Sequence, residues 1–309
     1  MILNLFRIER AMLQQKYSIL IQKIPDLKSQ EFLSNHCTFR IGGPADLFWN
    51  CSDINLLPEF LKITKNLEIP YFIFGGGSNI LFDSNGFRGL VIKITDSNFE
   101  FINSSAPFLK ASAGARMALL AKESFSKKLT GLEWANGLPG TLGGAIYGNA
   151  GCHDCEIADL IENVTLYDFE KGIFEVKKDY FDFKYRDSKL KKTKEIVLKA
   201  TLKLKNTNTD LKKSKEAVNF RAEKQPWGFT TGSFFKNPEG DSAGRLIDSV
   251  GLKGYQIGEA KISEKHANFF MNLGHATSDD ILKLRALAKE KVMANFGIEL
   301  EDEIIIVNS

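Results

Sequence analysis

The chain has 309 residues, 43% hydrophobic and 26% charged, the balance of a globular protein with apolar material for two domains. Its 41 basic and 38 acidic side chains leave a net charge of +3, which implies neither a nucleic acid nor a membrane surface as partner. Four cysteines are too few for a secreted disulfide scaffold of this size, and Cys152-x-x-Cys155, with His153 between, has no second pair at zinc-finger spacing. Reduced thiols and no metal are therefore expected.

Residues 1–32 read as an amphipathic helical extension. Arg7, Glu9, Arg10 and Lys16 interrupt its apolar runs, so neither a signal peptide nor a membrane span is expected, and the expected location is the cytoplasm. At 35–46, NHCTFRIGGPAD, a short strand pattern runs into a turn at Gly42-Gly43-Pro44. A helix is expected over 58–66, with Phe60, Leu61 and Leu67 on one face. Next comes a buried strand, Tyr71–Phe74, emptying into Gly75-Gly76-Gly77-Ser78-Asn79. That turn is neither G-x-G-x-x-G nor a phosphate loop followed by Lys-Ser/Thr. It can nonetheless present several N–H donors to a diphosphate. Asn85-Gly86 makes a further turn before a strand at 90–94; 108–113 and 116–125 read as strand and helix.

Seven of the twenty-one residues at 131–151 are glycine, and Glu133 is the only charge. Backbone can approach a ligand closely through such a run. Two readings stay open: N–H groups wrapped round an anion, or an ordinary glycine-rich loop. Segments 164–168, 174–176 and 197–204 alternate like a half-exposed, largely antiparallel sheet. Between them lies Tyr185-Arg186-Asp187-Ser188, whose arginine has a surface ion pair as its ordinary fate. The lysine-rich stretch 205–215 marks a boundary, and a helix reaching about Glu223 opens a second domain.

There Lys224, Ser233, Lys236 and Asn237 stand among aromatics, a grouping suited to a phosphate or a sugar hydroxyl. Surface charge for Lys236 and a turn for Asn237 remain the plain alternatives. Ser233 is not in a G-x-S-x-G elbow, and only His266 is placed for triad work, which argues against acyl transfer. Helices follow at Ala243–Ser249, ending at Gly251, and at 279–296, with Ser278 as N-cap and Gly297 beyond the last turn. The chain closes on a β-branched segment, 298–307, carrying Glu299, Glu301, Asp302 and Glu303.

In order, RIGGPAD, GGGSN, PGTLGGAIYGNAG, YRDS, R-x-x-K-Q-P, GSFFKNP and KHANF resemble the UDP-N-acetylenolpyruvoylglucosamine reductases, in their shorter subclass, from about Asn35 to Val307. The resemblance implies an α+β flavoprotein. Residues 33–205 would be an FAD-binding domain of PCMH type in two subdomains split near 97, and 206–309 a smaller α+β substrate domain whose last strand returns to the active site. It implies non-covalent FAD, with no His or Cys inside 75–79 or 137–151 to tether it, NADPH as co-substrate, and the enolpyruvyl ether of UDP-N-acetylglucosamine as substrate. Gly75, Gly76, Gly77, Ser78, Asn79, Gly137, Pro139, Gly140, Gly143, Gly144, Asn149, Ala150, Gly151 and Arg221 would hold the flavin.

By the same resemblance Arg186 would face the negative charge that builds on the substrate, Ser233 would give a proton to carbon, and Glu303 would be the catalytic glutamate. On a strand, Glu301 would share its face. Tyr185, Lys224 and Asn237 would meet the sugar nucleotide. Leu273-Gly274-His275 departs from relatives that carry an acidic substrate contact there. A sugar or alcohol oxidase on the same flavin fold, or a non-catalytic flavin or nucleotide binder, is the alternative.

Overall fold

The computed structural model describes residues 2–102, 106–152, 154–206, 219 and 221–308, with side chains from residue 12 on. His153, and most of the stretch expected to hold the lysine-rich boundary and the helix before Glu223, lie outside them.

A mixed four-stranded sheet sits at the centre, in the order Lys28–Phe32, Pro44–Cys51, Phe87–Ile94, Tyr71–Phe74. The last three run parallel to one another and the first is antiparallel to its neighbour. Side chains of a strand alternate between faces, and here the alternation divides the molecule. Leu47, Trp49, Leu90 and Ile92 enter one apolar core, while Phe48 and Val91, between them in sequence, enter another. A sheet covered on both faces needs such continuous apolar runs.

The first core is closed by Tyr17, Leu20 and Ile24 of the N-terminal segment, by the helix Leu57–Asn66, and by a second sheet. That sheet is wholly antiparallel, in the order Gly172–Val176, Ile161–Asp168, Ile196–Lys203, Phe108–Ser112, Phe99–Ile102. The second core joins Phe48, Phe74 and Phe82 to Phe270 of a third sheet and to Phe234 and Phe235, which follow its first strand. The third sheet (Phe229–Ser233, Phe269–Asn272, Ala260–Ile262, Gln256–Ile257) shares that core with the helices Ala243–Ser249 and Ser278–Phe296. Finally Ile305–Val307 leaves this region to pair in parallel with Ile80–Phe82, just beyond the first glycine turn. The class is α+β.

Four local expectations need correction. The N-terminal stretch is a helix only over Ile2–Lys23; Lys28–Phe32 is an edge strand of the central sheet. No strand forms over 35–41: Leu33–His36 is a single 3₁₀ turn, and Arg40 takes a left-handed φ of 55°, which breaks any ladder there. The long C-terminal helix is capped by Thr277, not Ser278. Thr277 Oγ1 accepts from the Asp280 N–H at 3.2 Å and Asp280 Oδ2 accepts from the Thr277 N–H at 3.0 Å, a capping box with aspartate in the glutamate position. Ser278 is buried and exchanges hydrogen bonds with Ser84 instead. At the C-terminus only Ile305–Val307 is a strand.

Candidate active site

The two glycine stretches meet back to back. A Cβ on Gly75 would lie 2.1 Å from Thr141 Oγ1, and one on Gly76 would lie 2.8 Å from the Gly140 Cα. Only glycine allows that approach. The contact leaves a row of donors with nothing to bind. The backbone N–H groups of Gly76, Gly77, Ser78, Asn79, Gly137 and Gly140 donate to no described residue. Unspent N–H groups around a turn and near the start of the helix Leu142–Gly148 are the donor set a diphosphate takes. On the helix, Gly144 has no close neighbour beyond Thr141 Oγ1 at 3.7 Å, and Gly148 has none within 4 Å, so both border open space. The residues present fit a long phosphate-bearing cofactor. Pro139 stands in the connection between Gly137 and Gly140.

Gly143 differs from these. Its N–H donates to the Ala113 carbonyl at 2.8 Å, and a Cβ there would press on Ala113 Cβ at 2.9 Å. It seats the helix on its neighbouring segment and has no donor left for an anion. Asn149, Ala150 and Gly151 do a related job. Asn149 ends the helix at φ 45°, and its amide donates to Glu156 Oε2 and to the Lys184 carbonyl; its buried Oδ1 has no partner among the described residues. The Ala150 N–H is spent on the Ala145 carbonyl. The Gly151 carbonyl accepts from Arg186 Nη2 at 2.8 Å.

Arg186 is the hub. Its Nε meets Glu303 Oε1 at 2.9 Å, and its guanidinium lies 5.2 Å from the ring centre of half-exposed Tyr185. It is itself held in a left-handed conformation, φ 54°, inside a pair of reciprocal hydrogen bonds between Lys184 and Asp187. Glu303 is fixed from two other segments. Its N–H donates to the Phe234 carbonyl, next to Ser233, and its carbonyl accepts from Asn79 Nδ2 at 3.0 Å. The first glycine turn and the Ser233 segment thus hold the backbone of Glu303, while the 185–188 loop brings Arg186 to its carboxylate.

Burial pushes the Glu303 carboxyl up, while Arg186, Lys191 and Lys236 pull the other way. Glu301 does not share its face. Because 298–304 is not a strand, the two side chains part: Glu301 is 71% exposed and pairs with Lys236, whereas Glu303 is 19% exposed.

Ser233 Oγ donates to no described residue, and Thr231 Oγ1, two residues before it, is buried without a partner among them. Arg221 reaches the second glycine stretch. Its Nη1 donates to the Asn136 carbonyl and its Nη2 to the Trp134 carbonyl and Cys152 Sγ, pinning the loop that leads into Gly137. Lys224 is exposed. Asn237 Oδ1 accepts from the Ala243 N–H at the start of a helix, which leaves its amide to donate. Among the described residues no group of three or more His, Cys, Asp or Glu side chains is placed to hold a metal, and no helix is long and apolar enough to cross a membrane.

Two residues of this site escaped the sequence reading. Lys191 donates its Nζ proton to the Arg186 carbonyl, and burial pushes its ammonium down. Nothing marks it among neighbouring lysines. Asn268 is buried, and its amide both donates to and accepts from the Phe235 backbone, locking the segment after Ser233. An asparagine inside the apolar run KHANFF is a signal that could have found it.

Two family models match the chain: an FAD binding domain over residues 45–176, and the UDP-N-acetylenolpyruvoylglucosamine reductase C-terminal domain over 225–307. Among curated proteins, the UDP-N-acetylenolpyruvoylglucosamine reductase of Clostridioides difficile is 41% identical, over 91% of this chain and 93% of its own. The chain belongs to the UDP-N-acetylenolpyruvoylglucosamine reductase family. The reductase of Caldanaerobacter subterraneus subsp. tengcongensis is 38% identical over 94% of this chain and 98% of its own. The crystal structure of the Thermus caldophilus reductase superposes with a TM-score of 0.77 at 33% identity, covering 90% of this chain and 97% of that one. Both glycine stretches fall within the FAD-binding match, and Ser233, Asn237 and Glu303 within the reductase match. Tyr185, Arg186, Arg221 and Lys224 lie in the span between the two.

Proposed function

We propose that this reductase converts the enolpyruvyl ether of UDP-N-acetylglucosamine to UDP-N-acetylmuramate for peptidoglycan synthesis, with FAD bound non-covalently and NADPH as co-substrate, in the cytoplasm. The observation that carries the reading is the Arg186–Glu303 pair at 2.9 Å, joined through Asn79 to the glycine cradle and through the Phe234 backbone to Ser233. The chemistry that FAD supplies when bound is hydride transfer.

The free N–H groups of 76–79, Gly137 and Gly140 hold the cofactor's diphosphate, with Arg221 fixing the loop before Gly137. Saturating the enol ether builds negative charge on the carbon beside the substrate carboxylate. Arg186 answers that charge, because a guanidinium stays cationic whatever its burial. Glu303 holds Arg186 in line. Ser233 Oγ, with no described partner to give its proton to, gives it to that carbon; so weak an acid works only with exact placement, which the Asn268 lock on Phe235 provides. Tyr185, Lys224 and the Asn237 amide meet the sugar nucleotide.

The test separates the half-reactions. Purified protein is expected to be yellow, to be bleached anaerobically by NADPH, and to recover its colour when the enolpyruvyl substrate is added. Ser233→Ala is expected to bleach at the normal rate and recover at least a hundredfold more slowly. Protein that takes up no added FAD would end the reading, and normal recovery in Ser233→Ala would remove the serine's role.

A further inference from the structure

The Cys152-x-x-Cys155 motif has no part in the reaction above, yet it sits where the site is held together. Gly151–Cys152 and Cys155–Glu156 form a small antiparallel hairpin in which Cys152 and Cys155 are direct partners. Directly opposed residues of such a pair point to the same face, with Cα atoms about 4.5–5.5 Å apart. That lies inside the roughly 4.4–6.8 Å that a disulfide spans. Both are thiols in this structure; Cys155 is exposed and Cys152 partly so, whereas Cys37 and Cys51 are buried.

The neighbours of Cys152 make the pair consequential. Its Sγ donates to the Trp134 carbonyl at 3.4 Å and accepts from Arg221 Nη2 at 3.4 Å, the same arginine that holds the loop before Gly137. One residue earlier, the Gly151 carbonyl holds Arg186.

We propose that Cys152 and Cys155 are a redox modification site, closing a reversible intrachain disulfide when the protein meets a peroxide. Two S–H bonds break and one S–S bond forms. The two electrons go to the peroxide, whose O–O bond breaks, and with hydrogen peroxide the two thiol protons leave in two molecules of water. Bridging removes the thiol donor to the Trp134 carbonyl and draws the sulfur from Arg221 towards Cys155. The arginine's grip on the 134–137 loop loosens, and with it the grip on FAD; this second effect rests on the flavin reading above, the bridge itself does not. A disulfide closing so short a loop removes little unfolded-chain entropy, so it stabilises the fold little and is readily reduced.

The test treats the holoenzyme with hydrogen peroxide, alkylates remaining thiols, and identifies the peptide carrying both cysteines by mass. That peptide is expected two hydrogens lighter and unalkylated, and dithiothreitol is expected to restore it. FAD affinity is expected to fall several-fold on bridging and to recover on reduction. Cys155→Ser is expected to keep full FAD affinity before and after peroxide. A singly oxidised Cys152 with Cys155 still alkylable would overturn the site. A bridge that leaves FAD affinity unchanged, or an equal loss in Cys155→Ser, would overturn its effect on the cofactor.

Discussion

At the scale of single residues, the site depends on a strained arginine and an uncomfortable acid. A non-glycine residue at φ 54° costs of order 1–3 kcal/mol and persists only where its surroundings over-determine it. Here Lys191, Gly151 and the Lys184–Asp187 bridge do so. Three cations face Glu303: Arg186, Lys191 from the short helix Leu190–Thr193, and Lys236 from the segment after Ser233. Each opposes the burial that raises its carboxyl. Removing one moves Glu303 further up, so the ionised form that holds Arg186 is lost at a higher pH. In Lys191→Met the acid limb of the kcat pH profile is expected to shift upward, while Lys191→Arg leaves it near the wild-type position. A profile that falls uniformly without shifting would mean that Lys191 only supports the loop. The family resemblance singled out Arg186, Ser233 and Glu303, and the structure brings Arg186 and Glu303 together. Lys191 was not singled out, because an ammonium matters here through a fold-dependent contact with a backbone carbonyl.

At the scale of elements, the density of glycine left a cradle and an ordinary loop both open, and composition does not say which glycine opposes which. The structure separates them by what a side chain would strike. Gly76→Ala sets a methyl group against the Gly140 backbone, which cannot swing aside as a flexible side chain would. The two loops must part, and the donors of 76–79 separate from those of Gly137 and Gly140. The variant is expected to fold with near wild-type circular dichroism yet bind FAD at least tenfold more weakly by fluorescence titration; unchanged affinity would place the diphosphate elsewhere. Gly143, equally visible in the sequence, has its N–H on the Ala113 carbonyl and seats the helix. The strand Tyr71–Phe74 and the helix Ala243–Ser249 lie where the periodicity put them. Strand assignment failed at 35–41 and 298–304, where apolar residues are buried without a ladder. Burial alone gives a strand-like pattern there, and only hydrogen bonding tells the two apart.

At the scale of the whole molecule, the central sheet is the partition between two cores; the sequence showed its strand Tyr71–Phe74 and the 90–94 part of Phe87–Ile94, but neither Pro44–Cys51 nor the edge strand Lys28–Phe32. The N-terminal helix is structural in one respect: Leu20 is fully buried against the first core, and Tyr17 OH donates to Asp46 Oδ2, while Arg88 pairs with Asp46 Oδ1. Leu20→Ala is expected to cost about 2–5 kcal/mol in denaturant unfolding. With FAD at a hundred times its dissociation constant, the variant is expected to gain about 2.7 kcal/mol, the same increment as the wild type. A loss below 1 kcal/mol would mean that the extension is not part of the folded unit. The return of the C-terminal segment has a kinetic corollary. Glu303 is fastened to Asn79 across 224 residues of sequence, a contact whose loop-closure entropy is recovered only once the structure between them has formed. Hairpins and the first core can assemble from nearer partners, so the acid arrives late. Refolding is therefore expected to show regular secondary structure well before any capacity to turn over substrate.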